Sequence, residues 1–185
     1  MYLLQISIRM REQLREYFST TWLEGDRSLD EYTYTGWSLV DKIQPNETVL
    51  DIGCGTNPFK DKIPNLWGID ITDVGADEVV AIEDYYPDKT FDVAFCLGSI
   101  NFGTEEFILE QCAAIDRVVH LEHGRVYWRC NPGKKDHGNT ACEDIDFFPW
   151  NFDLLNYYAY KNNFKCYDLK KDGRRLYSEW RRHST

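Results

Sequence analysis

The sequence predicts an α/β chain: a mostly parallel sheet, doubly wound by covering segments and closed by a C-terminal antiparallel β-hairpin. Three observations predict it. Strand-like apolar runs alternate with helix-like segments, the pattern of strands joined by crossovers. The run FDVAFCLGS, 91–99, is almost continuously apolar, as in a strand covered on both faces. At the C-terminal end, FKCYDLK and RRLYSEW flank Lys171-Asp172-Gly173 and read as a hairpin.

The elements follow in order. Residues 1–27 read as a helical extension. Ser28-Leu29-Asp30-Glu31 is a capping box, which places a helix start near residue 29. Leu29, Trp37, Val40 and Ile43 give that helix a loose apolar stripe, and Gln44-Pro45-Asn46 stops it. ETVLDIG, 47–53, is the first strand. Pro58 and Pro64 then limit any helix to a turn or two. LWGID, 66–70, and DEVVAIE, 77–83, read as the second and third strands, and 91–99 as the fourth.

Thr104 caps a helix whose first turn carries Glu105 and Glu106, where the helix dipole favours them. Phe107, Ile108, Cys112, Ile115 and Val119 form its apolar face. GRVYWRC, 124–130, is the fifth strand, closed by Asn131-Pro132-Gly133. A polar loop over 133–147 is placed as a lid over a substrate. NFDLLNYYAYKN is the last helix before the hairpin. Without repeats, linkers or low-complexity tracts, residues 1–185 read as a single domain.

Composition bounds the function. The chain has 185 residues, 43% of them hydrophobic and 15% aromatic, as expected of a folded core. The formal net charge is −10, which argues against a nucleic-acid binder. One basic stretch, KKDGRRLYSEWRR at 170–182, stands apart. The first residues lack the profile of a secretory signal, because Gln5 and Ser7 interrupt the apolar run. No stretch approaches the roughly 20 apolar residues that span a bilayer. The 6 cysteines have no CxxC pairing and no matching histidine spacing, so reduced thiols in the cytoplasm are expected, with no metal.

The stretch VLDIGCGTNPF, 49–59, carries the chemistry. A strand ends in a turn almost bare of side chains. In a parallel sheet, ligands bind beyond the carboxyl ends of the strands, at the switch point of strand order. Gly53 and Gly55 let the backbone turn sharply and let a flat ligand approach. Asp70 ends the next strand, where a carboxylate can accept both hydroxyls of a ribose. The third glycine of the dinucleotide fingerprint is missing, since Phe59 follows Pro58. Asp51, just before the glycines, would repel a pyrophosphate and suits a cation. A nucleoside with a positive charge and no phosphate fits both acids.

VLDIGCGT resembles the first motif of the class I S-adenosylmethionine-dependent methyltransferases. WGIDI resembles their second, and FDVAFCLGSINF their fourth strand. The resemblance covers about residues 28 to 183. It implies a Rossmann-like, seven-stranded sheet of order 3-2-1-4-5-7-6, with S-adenosyl-L-methionine as methyl donor. It also implies roles for residues. Asp51 would hold the methionine amino end, through water. Gly53, Cys54 and Gly55 would line the methionine and ribose, and Asp70 would bind the ribose hydroxyls. Ile71 would pack on adenine, framed by Ala81, Ile82 and either Glu83 or Asp84. Leu97 and Gly98 would offer a backbone carbonyl to the amino group.

Methyl transfer depends mainly on positioning, so a general base is hard to read from sequence. The candidates on the catalytic rim are Ser99, Asn101, Arg129, Asn131, His137, Glu143 and Trp150, with His137, Arg129 and Asn101 foremost and Arg129 as a binder of an acceptor carboxylate or phosphate. Tyr34 and Trp37 are read mainly as core, with closure over the cofactor as the other reading. His120 and His123 are read as structural. The fourth strand is followed by Ser99-Ile100-Asn101-Phe102, not the signature of base-modifying DNA methyltransferases. A small-molecule acceptor is therefore expected. A protein or glycan acceptor, a non-catalytic binding module and another nucleoside-using transferase are the other readings. Oligomeric state is not legible.

Overall fold

The computed structural model describes residues 2–20 (side chains from residue 8), 29–133 and 147–182. Seven strands form one mixed sheet in the order β3-β2-β1-β4-β5-β7-β6. They are β1 (Val49–Ile52), β2 (Leu66–Asp70), β3 (Glu78–Val79), β4 (Val93–Leu97), β5 (Arg125–Cys130), β6 (Phe164–Asp172) and β7 (Arg175–Arg182). The first five run parallel; β7 pairs antiparallel with both β5 and β6. Strand order thus reverses between β1 and β4, the switch point the sequence implied.

Among the described residues, three α-helices accompany the sheet: α1 (Tyr2–Ser19), α2 (Glu105–Val118) and α3 (Phe152–Lys161). Thr104 Oγ1 accepts from Phe107 N and Asn151 Oδ1 from Leu154 N, so side-chain caps start α2 and α3. One core, on the α2 and α3 face, takes alternate residues Leu50 and Ile52 of β1, Ala94 and Cys96 of β4, and Val126, Trp128 and Cys130 of β5. The opposite face buries Val49, Val93, Phe95 and Tyr127 with Leu39, Phe59 and Ile63. Arg182 ties β7 to the end of α2, giving hydrogen bonds to the carbonyls of Asp116, Val119 and His120.

Two expectations are corrected. No α-helix covers 29–43. Two 3-10 turns, Leu29–Glu31 and Trp37–Lys42, take its place. The backbone N–H groups of Thr33, Tyr34 and Thr35 donate instead to the carboxylate of buried Asp172, which also accepts from Thr35 Oγ1. A Cβ at Gly36 would lie 2.2 Å from the Leu29 carbonyl oxygen, so this close backbone crossing requires glycine. Among the described residues, the second face is therefore covered by the strap of residues 29–43 and the turns of 56–65, with no α-helix. The third strand shrinks to Glu78–Val79, because Ile82–Asp84 turns into a 3-10 segment that packs on α2.

His123 pairs with Asp92 at 2.7 Å and stacks on His120, away from the strand tips that carry the glycine turn. Cys54, Cys96, Cys112, Cys130 and Cys166 are free thiols. Among the described residues, no helix is long and apolar enough to cross a membrane.

Candidate functional site

The turn after β1 is built from backbone. Gly53 and Gly55 adopt φ of 70° and 56°. The amides of Gly53 and Cys54 both donate to the Ile69 carbonyl, pinning the turn to β2. A Cβ at Gly53 would lie 2.3 Å from Ser99 Cβ, so only glycine lets the turn pass the tip of β4.

Asp70 faces this turn. Its Oδ2 accepts from Gly55 N at 2.9 Å, and its Oδ1 from both Thr72 N and Thr72 Oγ1 at 2.8 Å. The carboxylate is thus oriented before any ligand arrives. Asp51 is different. It is buried, 3% exposed, and its carboxylate accepts no hydrogen bond from the described residues. Burial pushes its carboxyl up to about 7, against the pull of Arg129 and with the added repulsion of Asp70.

Both acids open on a cavity of about 580 Å³ at the carboxyl ends of the parallel strands. Asp51, Gly53, Cys54, Gly55, Asp70, Ile71, Ala81, Ile82, Glu83, Leu97, Gly98, Asn101 and Arg129 all line it. Of the described residues singled out from sequence for the cofactor or the catalytic rim, all but Asp84, Tyr34 and Trp150 are therefore brought to one place, and Glu143 lies outside the described residues. His137 lies outside the described residues, as does most of the lid expected over 133–147. Trp37 reaches the cavity; Tyr34 instead stacks on Tyr177.

Several side chains have partners that sequence did not reveal. Glu83 Oε1 is 3.4 Å from Arg11 Nη2 and accepts from Gln111 Nε2. Burial pushes its carboxyl up. Asp84 pairs with Arg11 Nη1 at 2.8 Å, is exposed, and does not line the cavity, whereas Glu83 does. Burial also pushes the Cys54 thiol up, which disfavours its thiolate. Asn101 Nδ2 donates to the Gly98 carbonyl, and its Oδ1 accepts from Asn131 N.

Arg129 is the largest surprise. It donates to the Leu97 carbonyl at 2.8 Å and to the Thr35 carbonyl at 3.1 Å, and its guanidinium lies 3.9 Å over the Tyr32 ring. It therefore joins the tip of β4 to the strap. A single cation in the otherwise apolar VYWRC run was the signal for it. Asp172, read as a turn residue, gave none.

The roof comes from α1. Arg11, Leu14, Tyr17 and Phe18 line the cavity, and Leu14 and Tyr17 cluster with Phe102 and Phe147. Ser99 Oγ is buried at the tip of β4 and has no partner among the described residues.

No protein-family model and no curated protein matches this chain. Solved structures do resemble it. Magnesium protoporphyrin IX methyltransferase from Synechocystis, with bound SAH, superposes with a TM-score of 0.68 at 15% identity, over 93% of this chain and 99% of that one. The 1,6-didemethyltoxoflavin-N1-methyltransferase of Burkholderia thailandensis gives 0.68 at 14% identity, over 96% and 89%. An S-adenosylmethionine-dependent methyltransferase from Clostridium acetobutylicum gives 0.61 at 12%, over 92% and 98%. Identities this low bear on architecture, and the architecture of this chain is the class I S-adenosylmethionine-dependent methyltransferase fold.

Proposed function

We propose that this chain transfers a methyl group from S-adenosyl-L-methionine to a small-molecule acceptor. One observation carries the reading: Asp51, a buried carboxylate without a hydrogen-bond donor among the described residues, and Asp70, a pre-oriented one, flank the bare Gly53–Gly55 turn inside a single cavity. That donor set fits the cofactor. Asp51 answers a cation, Asp70 retains acceptor capacity for ribose hydroxyls, and the glycine turn leaves room for a flat body.

In this reading Asp51 holds the amino end, through water. The backbone of Gly53, Cys54 and Gly55 lines the methionine and ribose. Ile71 packs on the adenine, with Ala81, Ile82 and Glu83 framing it. The Leu97 and Gly98 carbonyls already accept one hydrogen bond each, and each keeps a second lone pair for the amino group.

When bound, S-adenosylmethionine supplies a methyl group activated by a sulfonium. The chain's own contribution is positioning and exclusion of water. Tyr17, Phe18, Phe102 and Phe147 cover the cavity with apolar surface. Ser99 Oγ, unpartnered beside the glycine turn, is placed to hydrogen-bond an acceptor. A cavity of about 580 Å³ roofed by α1 falls within the ~300–1,000 Å³ of small-molecule sites and favours a metabolite over a protein or glycan. Free thiols in the core suit a reducing, cytoplasmic setting.

The test is transfer of a tritiated methyl group from S-adenosylmethionine to a fractionated metabolite extract. Label in a low-mass product is expected. Tight cofactor binding with no labelled product from any fraction would reassign the chain as a non-catalytic binder.

A further inference from the structure

Two buried polar atoms, Gln111 Oε1 and Arg11 Nε, have no hydrogen-bond partner among the described residues, and both side chains line the cavity. Both side chains lean on one oxygen. Gln111 Nε2 donates to Glu83 Oε1 at 3.4 Å, and Arg11 Nη2 stands 3.4 Å from the same atom. Gln111 comes from α2, Arg11 from α1 and Glu83 from the 3-10 turn Ile82–Asp84. That turn follows β3, the outer neighbour of β2, and Asp70 is the last residue of β2. Seen from the Gly53 turn on β1, the cluster therefore lies on the far side of Asp70.

We propose that Gln111 reads the amino group of the cofactor's adenine, its Oε1 accepting an N–H of that group, and thereby selects adenine over a 6-oxopurine. This rests on the methyl-transfer reading above.

The place of Gln111 in its helix supports it. Phe107, Ile108, Cys112 and Ile115 make that face of α2 apolar, yet Gln111 is buried among them at 9% exposure. A buried amide is costly unless its groups are paired. The Glu83 carboxylate takes the amide nitrogen, which fixes the orientation of the amide and leaves its oxygen, a pure acceptor, for a donor on a ligand. Phe107, one turn earlier on the same face, also lines the cavity and offers apolar surface to a purine.

The second orphan is complementary. Adenine carries a ring-nitrogen acceptor beside its amino donor, and Arg11 Nε is a donor beside the Gln111 acceptor. A 6-oxopurine puts an oxygen where the amino group stands and sets acceptor against acceptor. Charge does not decide the pairing. Arg11 is answered by Glu83 and Asp84, Arg117 donates to the Ile82, Glu83 and Tyr85 carbonyls, and Glu110 adds a further negative charge. Hydrogen-bond direction is what the cluster offers a ligand.

The test is calorimetric titration of the intact protein at pH 8 with S-adenosylhomocysteine and with S-inosylhomocysteine, which differs in carrying hypoxanthine. The adenine compound is expected to bind about tenfold tighter or more. Gln111→Met and Gln111→Leu keep an apolar filler in the stripe and remove the acceptor. Each should bring the two affinities within about threefold of one another, chiefly by weakening S-adenosylhomocysteine. Equal affinity of the unaltered protein for the two compounds would overturn the proposal without any variant. So would a preference for adenine that survives in either variant, which would assign the discrimination to Glu83. Failure of S-adenosylhomocysteine itself to bind appears in the first titration, and counts against the methyl-transfer reading instead.

Discussion

The floor of the cavity and its strap are held in opposite ways. The floor, Gly53 to Asp70, is made by near neighbours: a backbone amide meets a carboxylate 15 residues on, and no side chain fills the turn. The strap, residues 29–43, is made by distant charges. Asp172 takes four hydrogen bonds from it across as many as 139 residues, and Arg129 reaches it across 94. The floor therefore leaves polar capacity for a ligand, whereas the strap spends charge on its own backbone. Stability should concentrate in the strap's anchor and affinity in the floor.

The largest effect should come from Asp172→Ala. It orphans three backbone N–H groups and the Thr35 hydroxyl, at ~1–3 kcal/mol for each buried donor left unpaired. We expect a loss of about 3 kcal/mol or more, about 10 °C in Tm by thermal denaturation. S-adenosylhomocysteine affinity of the folded protein should move less than threefold. A larger loss of affinity than of stability would erase the distinction between the two regions.

Asp70→Ala should show the reverse. Charge-assisted hydrogen bonds of ~1.5–3 kcal/mol disappear, so affinity for S-adenosylhomocysteine should fall about 10- to 100-fold by calorimetry. The Tm should fall less than for Asp172→Ala.

The smallest effect is a pH dependence that sharpens the contrast within the floor. The Asp51 carboxyl is raised from its ordinary 3.8 to about 7 in the folded protein. The unfolded chain ionises first, so the stability linked to this group is complete below about 4 and is lost as pH rises to 7. A cationic ligand needs the carboxylate, so its affinity should rise through pH 7 and level off above. With one titrating group the rise is about tenfold between pH 6 and 8. Asp51→Asn should flatten the profile. An unchanged profile would place the cation elsewhere.

The same division explains what could be read from sequence. The glycine turn, Asp70, the caps at Thr104 and the hairpin are local features, set by residues within a few positions or by short strand spacing. They stand where the residues place them. The strap does not. Leu29, Trp37, Val40 and Ile43 fit a helical stripe, yet the N–H groups of Thr33, Tyr34 and Thr35 are drawn to a carboxylate at the far end of the chain. No local pattern announces Asp172, which looks like any aspartate before a turn glycine. Glu83 was legible as an acid beside the adenine position, but its Arg11 and Gln111 partners were not, because both arrive from helices. Arg129 was noticed as a strand-tip cation; its grip on Tyr32 and Thr35 depended on the strap.

The most direct measurement is the binding of S-adenosylmethionine and S-adenosylhomocysteine to the intact protein at pH 8 by isothermal titration calorimetry. Saturable, one-to-one binding of both, in the micromolar range or tighter, is the predicted result. No heat of binding from either compound at millimolar concentration would contradict the assignment of Asp51, the glycine turn and Asp70 as a cofactor site.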